Sequence, residues 1–357
     1  MEEYWLWLCS QSEIASKKME KLLRVFGTPE ELYRAKRGEL EKLRFLKEWE
    51  MDRLLEKEEN PSEVYHRQRE RGINFISREE KSFPKRLLSI ADKPFGLFFK
   101  GRLPGEEKKS AAVIGARACT YAGQALAGQI GEELALADVE VISGMARGID
   151  GCAQEAALRA GGESYAILGS GVDVIYPPEH QGLYESLCQI GGVISEFPPG
   201  SAPLAKHFPR RNRLISALAD FVIVVEARER SGSLITVDCA LEQGKEIYAV
   251  PGRPSDALSR GCNRLIAQGA GIFSSTEQVL EEQGIACKNI KKKEKKQIRL
   301  ATKENLVYSC LDLRPKSLQR ILDETKLPMD ETIEILLKLQ MREVIFEVTK
   351  NYYQRVL

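Results

Sequence analysis

Apolar positions change their period twice along the chain. Up to about residue 60, Leu22, Leu23, Phe26, Leu32, Leu40, Leu43, Leu46, Leu54 and Leu55 stand among polar residues in the rhythm of amphipathic helices. Phe26-Gly27-Thr28-Pro29-Glu30-Glu31 closes one helix with glycine and opens the next with a Thr cap and a Pro in the first turn. Residues 1–60 are therefore expected as a small helical module of the SAM or helix-hairpin-helix kind. The Gly-x-Gly of a DNA-gripping hairpin is missing, which favours packing or protein contact. Residues 61–110 read as a connector, with short strands at 73–77 and 97–101 and a polar loop at 104–110.

From 111 to 287 the pattern alternates. Short runs of Val, Ile and Ala at 111–115, 139–143, 164–168, 192–195, 221–226 and 246–250 each lead into a Gly- or Pro-bearing loop. Helical stretches such as 124–136 and 233–243 follow these loops. Continuously apolar strands separated by helices indicate an α/β fold with a parallel sheet covered on both faces, an extended Rossmann-like, doubly wound domain. Ligands of such sheets sit at the carboxyl ends of the strands, so the loops there carry the argument. Residues 288–298 form a Lys-rich block that repels itself and reads as a linker. Beyond it, helices at 303–311, 317–324 and 330–338 and strands at 344–348 and 352–356 outline a winged-helix-like domain over 299–357. Its third helix opens on Asp330 and Glu331, a poor match for DNA phosphate, so protein contact is the better expectation for it.

Composition narrows the class. Of 357 residues, 43% are hydrophobic and 29% charged, as in globular proteins. No apolar run approaches the ~20 residues that span a bilayer, and Met1-Glu2-Glu3 does not open a signal peptide. Eight cysteines without a Cys-x-x-Cys pair, and three histidines at 66, 180 and 207, give neither a disulfide framework nor a zinc site. A reducing cytoplasm, no membrane and no metal are expected.

Net charge is +1, but residues 111–287 hold thirteen Lys/Arg against twenty-one Asp/Glu. Within this acidic segment, Arg117, Lys206, Arg210, Arg211 and Arg213 all fall on loops at one end of the expected sheet. That is a localised anion site. Arg117 replaces the second glycine of a dinucleotide fingerprint in Gly115-Ala116-Arg117, and suits a phosphate held by a guanidinium. In Ser143-Gly144-Met145-Ala146-Arg147-Gly148-Ile149-Asp150, Asp150 reads as a helix N-cap. Gly169-Ser170-Gly171-Val172-Asp173 is a weak cofactor signature. The loop 198–213 offers Phe208 as a stacking face among cations, the arrangement single strands prefer. Arg211 and Arg213 have an alternative use, pairing internally with Glu196 or Glu226. Ser231-Gly232-Ser233 begins a helix whose N–H groups suit a phosphate, with Ser231 as its cap.

Taken in order, these loops resemble the bacterial DNA-processing protein A family (DprA, also called Smf). The resemblance rests on Gly115-Ala116-Arg117, the 143–150 loop, Gly169 to Pro177, Ser195-Glu196-Phe197-Pro198, Phe208-Pro209-Arg210-Arg211-Asn212-Arg213, Ser231 to Thr236 and Val250-Pro251-Gly252. Ala116 stands where many members carry Ser, and the terminal hairpin lacks the usual glycines. The resemblance implies a recombination mediator without catalytic activity or cofactor. It would bind and protect incoming single-stranded DNA during natural transformation, share it with single-strand-binding protein, load the RecA recombinase and act as a homodimer. Carried over by motif, the DNA contacts would be Arg117, Ser170, Gly200, Phe208, Arg211 and Asn212, with Lys206 nearby. Gly115, Gly144, Gly169, Gly171, Ser231, Gly232 and Ser233 would support the phosphate loops. Leu265 and Ile266 would lie in the dimer face.

Two rivals remain. Related folds hydrolyse nucleotide N-glycosidic bonds through Gly-Gly-x-Gly-Thr-x-x-Glu, but here Ser231 to Asp238 lacks the paired glycines and the glutamate. A transcription regulator would use the terminal domain on duplex DNA, which its acidic helix opposes. No ATP-binding Gly-x-x-x-x-Gly-Lys-Ser/Thr loop occurs; the Gly244-Lys245 pair is followed by Glu246.

Overall fold

The computed structural model describes residues 1–57, 59–286, 301–312, 314–342 and 344–355; the Lys-rich stretch expected as a linker at 288–298 lies outside them. The chain divides into two compact units, Met1–Cys119 with Ala127–Lys288, and Thr120–Leu126 with Asn289–Leu357.

The first unit is mixed α/β, built on a large, mostly parallel sheet. Its strands among the described residues are β1 (Asn74–Ser77), β2 (Gly96–Gly101), β3 (Ser110–Ile114), β4 (Glu140–Ser143), β5 (Ser164–Ile167), β6 (Gly192–Ser195), β7 (Phe221–Val224), β8 (Glu246–Ala249) and β9 (Gly271–Ile272). They lie in the order β1-β2-β6-β5-β4-β3-β7-β8-β9. From β6 to β9 every pairing is parallel, with Ala111 of β3 opposite both Val141 of β4 and Phe221 of β7. All residues of β3, β4, β5, β6 and β7 are buried, which is why these strands read as mostly apolar runs without a polar face. Strand order reverses between β3 and β7, so the loops after these two strands part and leave a crevice.

The six expected strands of the central segment form within a residue or two of their patterns. The two connector strands, β1 and β2, join the same sheet antiparallel, β2 beside β6. Strand β9 was not foreseen, because two residues carry no periodicity.

The N-terminal helices belong to this unit. Helix Glu2–Ser10 buries Trp5, Leu6, Trp7 and Leu8. Thr28 caps helix Pro29–Arg34 by accepting the Glu31 N–H, as the sequence predicts. Arg78 ties helix and sheet together: it pairs with Glu20 and lies 5.5 Å from the Trp5 ring and 4.6 Å from the Phe95 ring.

One buried charge sits at the opposite end of the sheet from the crevice. Glu140 is 2% exposed, and its Oε2 has no hydrogen-bond partner. Burial first, then the neighbouring Glu163 carboxylate, push its pKa up to about 7. A folded-state pKa above the unfolded value means that the folded state holds the proton longer. Stability therefore falls as pH rises from about 4.5 through 7, and the full penalty, on the order of 3 kcal/mol, applies above that. Urea melts of Glu140→Gln should show a gain of roughly 1–3 kcal/mol over wild type at pH 8, and near equality at pH 5. Equal gains at both pH values would contradict this account.

The second unit holds helices Thr302–Cys310, Leu318–Thr325 and Met329–Met341, with β10 (Lys316–Ser317), β11 (Ile345–Thr349) and β12 (Tyr352–Arg355) in the order β10-β12-β11. Val307, Ile321, Leu336, Leu339 and Ile345 form its core. The hairpin between β11 and β12 turns without glycine because Asn351 takes the left-handed conformation, at φ +66°. Asn tolerates that region better than other residues with a side chain.

Candidate nucleic-acid interface

The loops after β3, β4, β5, β6 and β7 surround a pocket of about 620 Å³ at the carboxyl ends of the strands. Its floor is laid by helix His207–Leu218, which takes up part of the stretch 198–213 expected as a loop. Residues 211, 214, 215 and 218 fall on the buried face of that helix, the spacing of a core-facing stripe.

Arg211 is thus a buried cation. It is 4% exposed, and its Nη1 donates to the carbonyls of Gly144, at 3.0 Å, and Ile167, while Nε donates to Asn212 Oδ1 at 3.2 Å. Burial pulls its pKa down to about 10, against the pull of the Asp150 carboxylate. It stays charged at neutral pH. Arg211 thus lines the pocket from its floor and not from an exposed loop, with Nε and Nη1 committed to the protein.

Asp150 also departs from its expected role. The N-cap of helix Ile149–Arg159 is Gly148, and the Asp150 carboxylate instead accepts from the Gly144 N–H at 3.2 Å and interacts with Ser143 and the Gly115 N–H. It therefore staples the loops after β3 and β4. Burial raises its pKa, partly offset by Arg211.

Phe208 is half-buried above this floor. The Arg117 guanidinium lies 5.1 Å from its ring centroid and that of Arg211 5.8 Å, with the Tyr176 ring at 5.7 Å. The glycines of the expected phosphate loops make this packing possible. A Cβ on Gly144 would stand 2.6 Å from the Arg211 guanidinium, and one on Gly169 2.9 Å from the Phe208 ring. Added Cβ atoms at Gly115 and Gly171 would meet Ile149 and the Pro198 carbonyl. These four positions admit neighbours from other loops. Gly232 and Gly200, by contrast, face open space.

The remaining expected residues are placed as follows. Ser170 is buried, with its hydroxyl donating to the Val174 carbonyl at 3.1 Å. Asn212 is buried and donates to the Gly232 carbonyl at 3.3 Å, linking the pocket floor to the helix start at Ser231. Ser231 caps helix Gly232–Glu242, accepting from the Ser233 N–H. Gly200, at φ +80°, and Lys206 are exposed on the long loop after β6. Leu265 is 8% exposed in the core cluster, with Ile266 packed half-buried against it, so Leu265 is not free for a surface contact.

Internal pairing removes part of the expected basic patch. Arg213 forms bonds of 2.7 and 2.8 Å to Glu196 and a contact to Asp92, and Arg210 reaches the same Glu196. Arg147 pairs with Glu179. No carboxylate partner is found for Arg117 or Lys206 among the described residues. Sequence reasoning missed Tyr176, Arg228 and Arg230, all of which line the pocket. The two arginines were visible in a loop whose Glu226 and Glu229 balance them in any count of charge.

A cation stacked on an aromatic ring, beside a reversal of strand order on an α/β scaffold, is an arrangement that suits an anionic ligand with a planar base, and comparison with known proteins assigns the chain to a family. The chain belongs to the DNA recombination-mediator protein A family, whose model matches residues 74–284, more than half of the chain. That family is one of recombination mediators, not of enzymes. Protein Smf of Escherichia coli K12 is 44% identical over 209 residues, 58% of this chain and 56% of that protein, so the chain spans little more than half of that relative. The crystal structure of DNA processing protein A from Streptococcus pneumoniae superposes with a TM-score of 0.67 at 31% identity, covering 79% of this chain and 98% of that one. DNA processing protein A from Helicobacter pylori, described with its single-stranded DNA binding mode, gives 0.54 at 25% identity over 60% of this chain and 97% of that one. No helix among the described residues is long and apolar enough to cross a membrane.

Proposed function

We propose that this protein binds single-stranded DNA across the strand-end pocket as a recombination mediator, protecting incoming strands during natural transformation and loading the RecA recombinase onto them. The observation that carries the reading is Arg117, a cation with no carboxylate partner among the described residues, stacked on Phe208 at the mouth of a pocket floored by a buried arginine. Phosphates would take Arg117 and Lys206, the Gly200 turn would follow the backbone, and a base would stack on Phe208. Ser170, Arg211 and Asn212 would hold that surface from beneath, with Gly115, Gly144, Gly169, Gly171, Ser231, Gly232 and Ser233 shaping the loops. The single-strand binding of the Helicobacter pylori relative supports the ligand class.

The same reading extends to the whole chain. It takes the central domain as an extended Rossmann-like, doubly wound fold over 111–287, entered through the connector 61–110. A helical module at 1–60 precedes it, and a winged-helix-like domain at 299–357 follows a linker at 288–298. The protein would work in the cytoplasm as a homodimer through a face near Ile266, with single-strand-binding protein and RecA as partners.

The test is fluorescence anisotropy of a 30-nucleotide oligo(dT) and a 30-base-pair duplex over a salt series. The single strand should bind more tightly, with log Kd rising at about 0.7 per log unit of salt for each phosphate neutralised. Preference for the duplex would overturn the proposal.

A further inference from the structure

Three arginines line the pocket without a carboxylate partner among the described residues: Arg117 from the loop after β3, and Arg228 and Arg230 from the loop after β7. The contrast with their neighbours is sharp. Arg147, Arg210 and Arg213 each pair with a glutamate. Glu229, between the two arginines in sequence, does not line the pocket. The cations of this loop face the pocket and its intervening acid does not. Asp150 is the acidic side chain of the lining, and it is buried beneath the loops.

The loop that carries these arginines is anchored. Ala227 is fully buried; its N–H donates to the Leu258 carbonyl at 2.7 Å, and its carbonyl accepts from the Gly261 N–H at 2.9 Å. Gly261 packs so closely that a Cβ there would stand 2.6 Å from the Ala227 and Arg228 carbonyl oxygens. The backbone at 227–228 is therefore fixed, and the arginine side chains extend from a rigid base into solvent. Two exposed like charges on a fixed loop repel each other and gain nothing from the fold. Their placement is favourable when an anion lies between or beside them.

Because β3 and β7 are neighbours at the reversal of strand order, Arg117 and the Arg228–Arg230 pair occupy opposite walls of one crevice. We infer that Arg228 and Arg230 hold a second phosphodiester of the same single strand, next along from the one at Arg117. The inference rests on the single-strand reading given above and specifies the path: the strand crosses the crevice from the loop after β3 to the loop after β7. The pocket volume, about 620 Å³, suits a short segment of strand and lies within the range of roughly 300–1,000 Å³ usual for ligand sites. Arginine suits this task because its planar fork grips two phosphate oxygens at once.

The experiment uses the full chain and 30-nucleotide oligo(dT) in anisotropy titrations from 50 to 400 mM NaCl. Wild type is compared with the double variants Arg228→Gln/Arg230→Gln and Arg228→Lys/Arg230→Lys. The glutamine pair should weaken binding roughly 5- to 30-fold at low salt and flatten the salt slope by about 0.7–1.4, the contribution of one to two phosphates. The lysine pair should restore the slope while recovering only part of the affinity. If wild type binds and the glutamine pair binds with unchanged affinity and slope, the second contact does not exist and the single-strand reading stands. If wild type itself ignores the oligonucleotide, both fail together. Thermal melts of the two variants should match wild type, since these exposed side chains hold nothing in the fold.

Discussion

Charge reversal at Arg117 should reduce affinity for single-stranded DNA by at least ~100-fold at 100 mM salt while leaving the fold intact. A hydrogen bond to a charged partner contributes about 1.5–3 kcal/mol net, which is roughly one to two factors of ten in Kd. Arg117→Glu removes that contact and adds repulsion toward the same phosphate. It also removes the cation held 5.1 Å from the Phe208 centroid, so a base stacking on that ring has an anion as its neighbour. Arg117 is exposed and has no carboxylate partner among the described residues, so folding stability should change by less than about 1 kcal/mol, the scale of an exposed cation–π contact. Arg117→Lys should fall between the two, keeping the charge without the planar fork. The measurement is the anisotropy titration paired with a urea melt. Undiminished binding by Arg117→Glu would move the DNA site away from these loops.

How much of this was legible beforehand depends on the kind of signal. Strands β3 to β7 announce themselves because each is buried on both faces and so is mostly apolar in sequence, and β8 is buried beyond Glu246. Strand β9 and the two-residue β10 are held by pairing alone and leave no pattern. That β1 and β2 extend the central sheet follows from backbone pairing of Phe99 with Ile194, which side-chain types do not reveal. The site shows the same division. Arg117 and Phe208 stood out by residue type. The burial of Arg211 was hidden because an arginine does not read as part of an apolar stripe, although its position is in line with Leu214, Ile215 and Leu218. Arg213 and Arg210 are paired with Glu196, which opens the connection leading from β6 into their own helix and was weighed from sequence only as one of two carboxylates. Arg228 and Arg230 went unassigned because a tally of charge cannot tell which way each side chain of a loop faces.

The buried pair beneath the pocket gives the largest effect on stability. Arg211→Met should destabilise the fold by about 3–5 kcal/mol, because removing one partner of a buried charged group leaves the others uncompensated. The carbonyls of Gly144 and Ile167 lose their donor, and the Asp150 carboxylate loses the cation that offsets its burial. A double variant, Arg211→Met with Asp150→Asn, should cost less than the sum of the two single changes, with a coupling on the order of 1–3 kcal/mol. The pH dependence separates the charge from the lost hydrogen bonds. Burial already raises the Asp150 pKa above its unfolded value, and without Arg211 it rises further. The folded variant therefore holds a proton over a wider window than wild type, and stability in that window increases as pH falls. Urea melts should then show a smaller deficit for Arg211→Met at pH 5 than at pH 8, whereas the double variant, which has no carboxyl at position 150, should show no such narrowing. A pH-independent deficit in the single variant would mean that the two carbonyls, and not Asp150, are what Arg211 serves. In that case the cation beneath Phe208 holds the loops after β4 and β5 in place by hydrogen bonding alone.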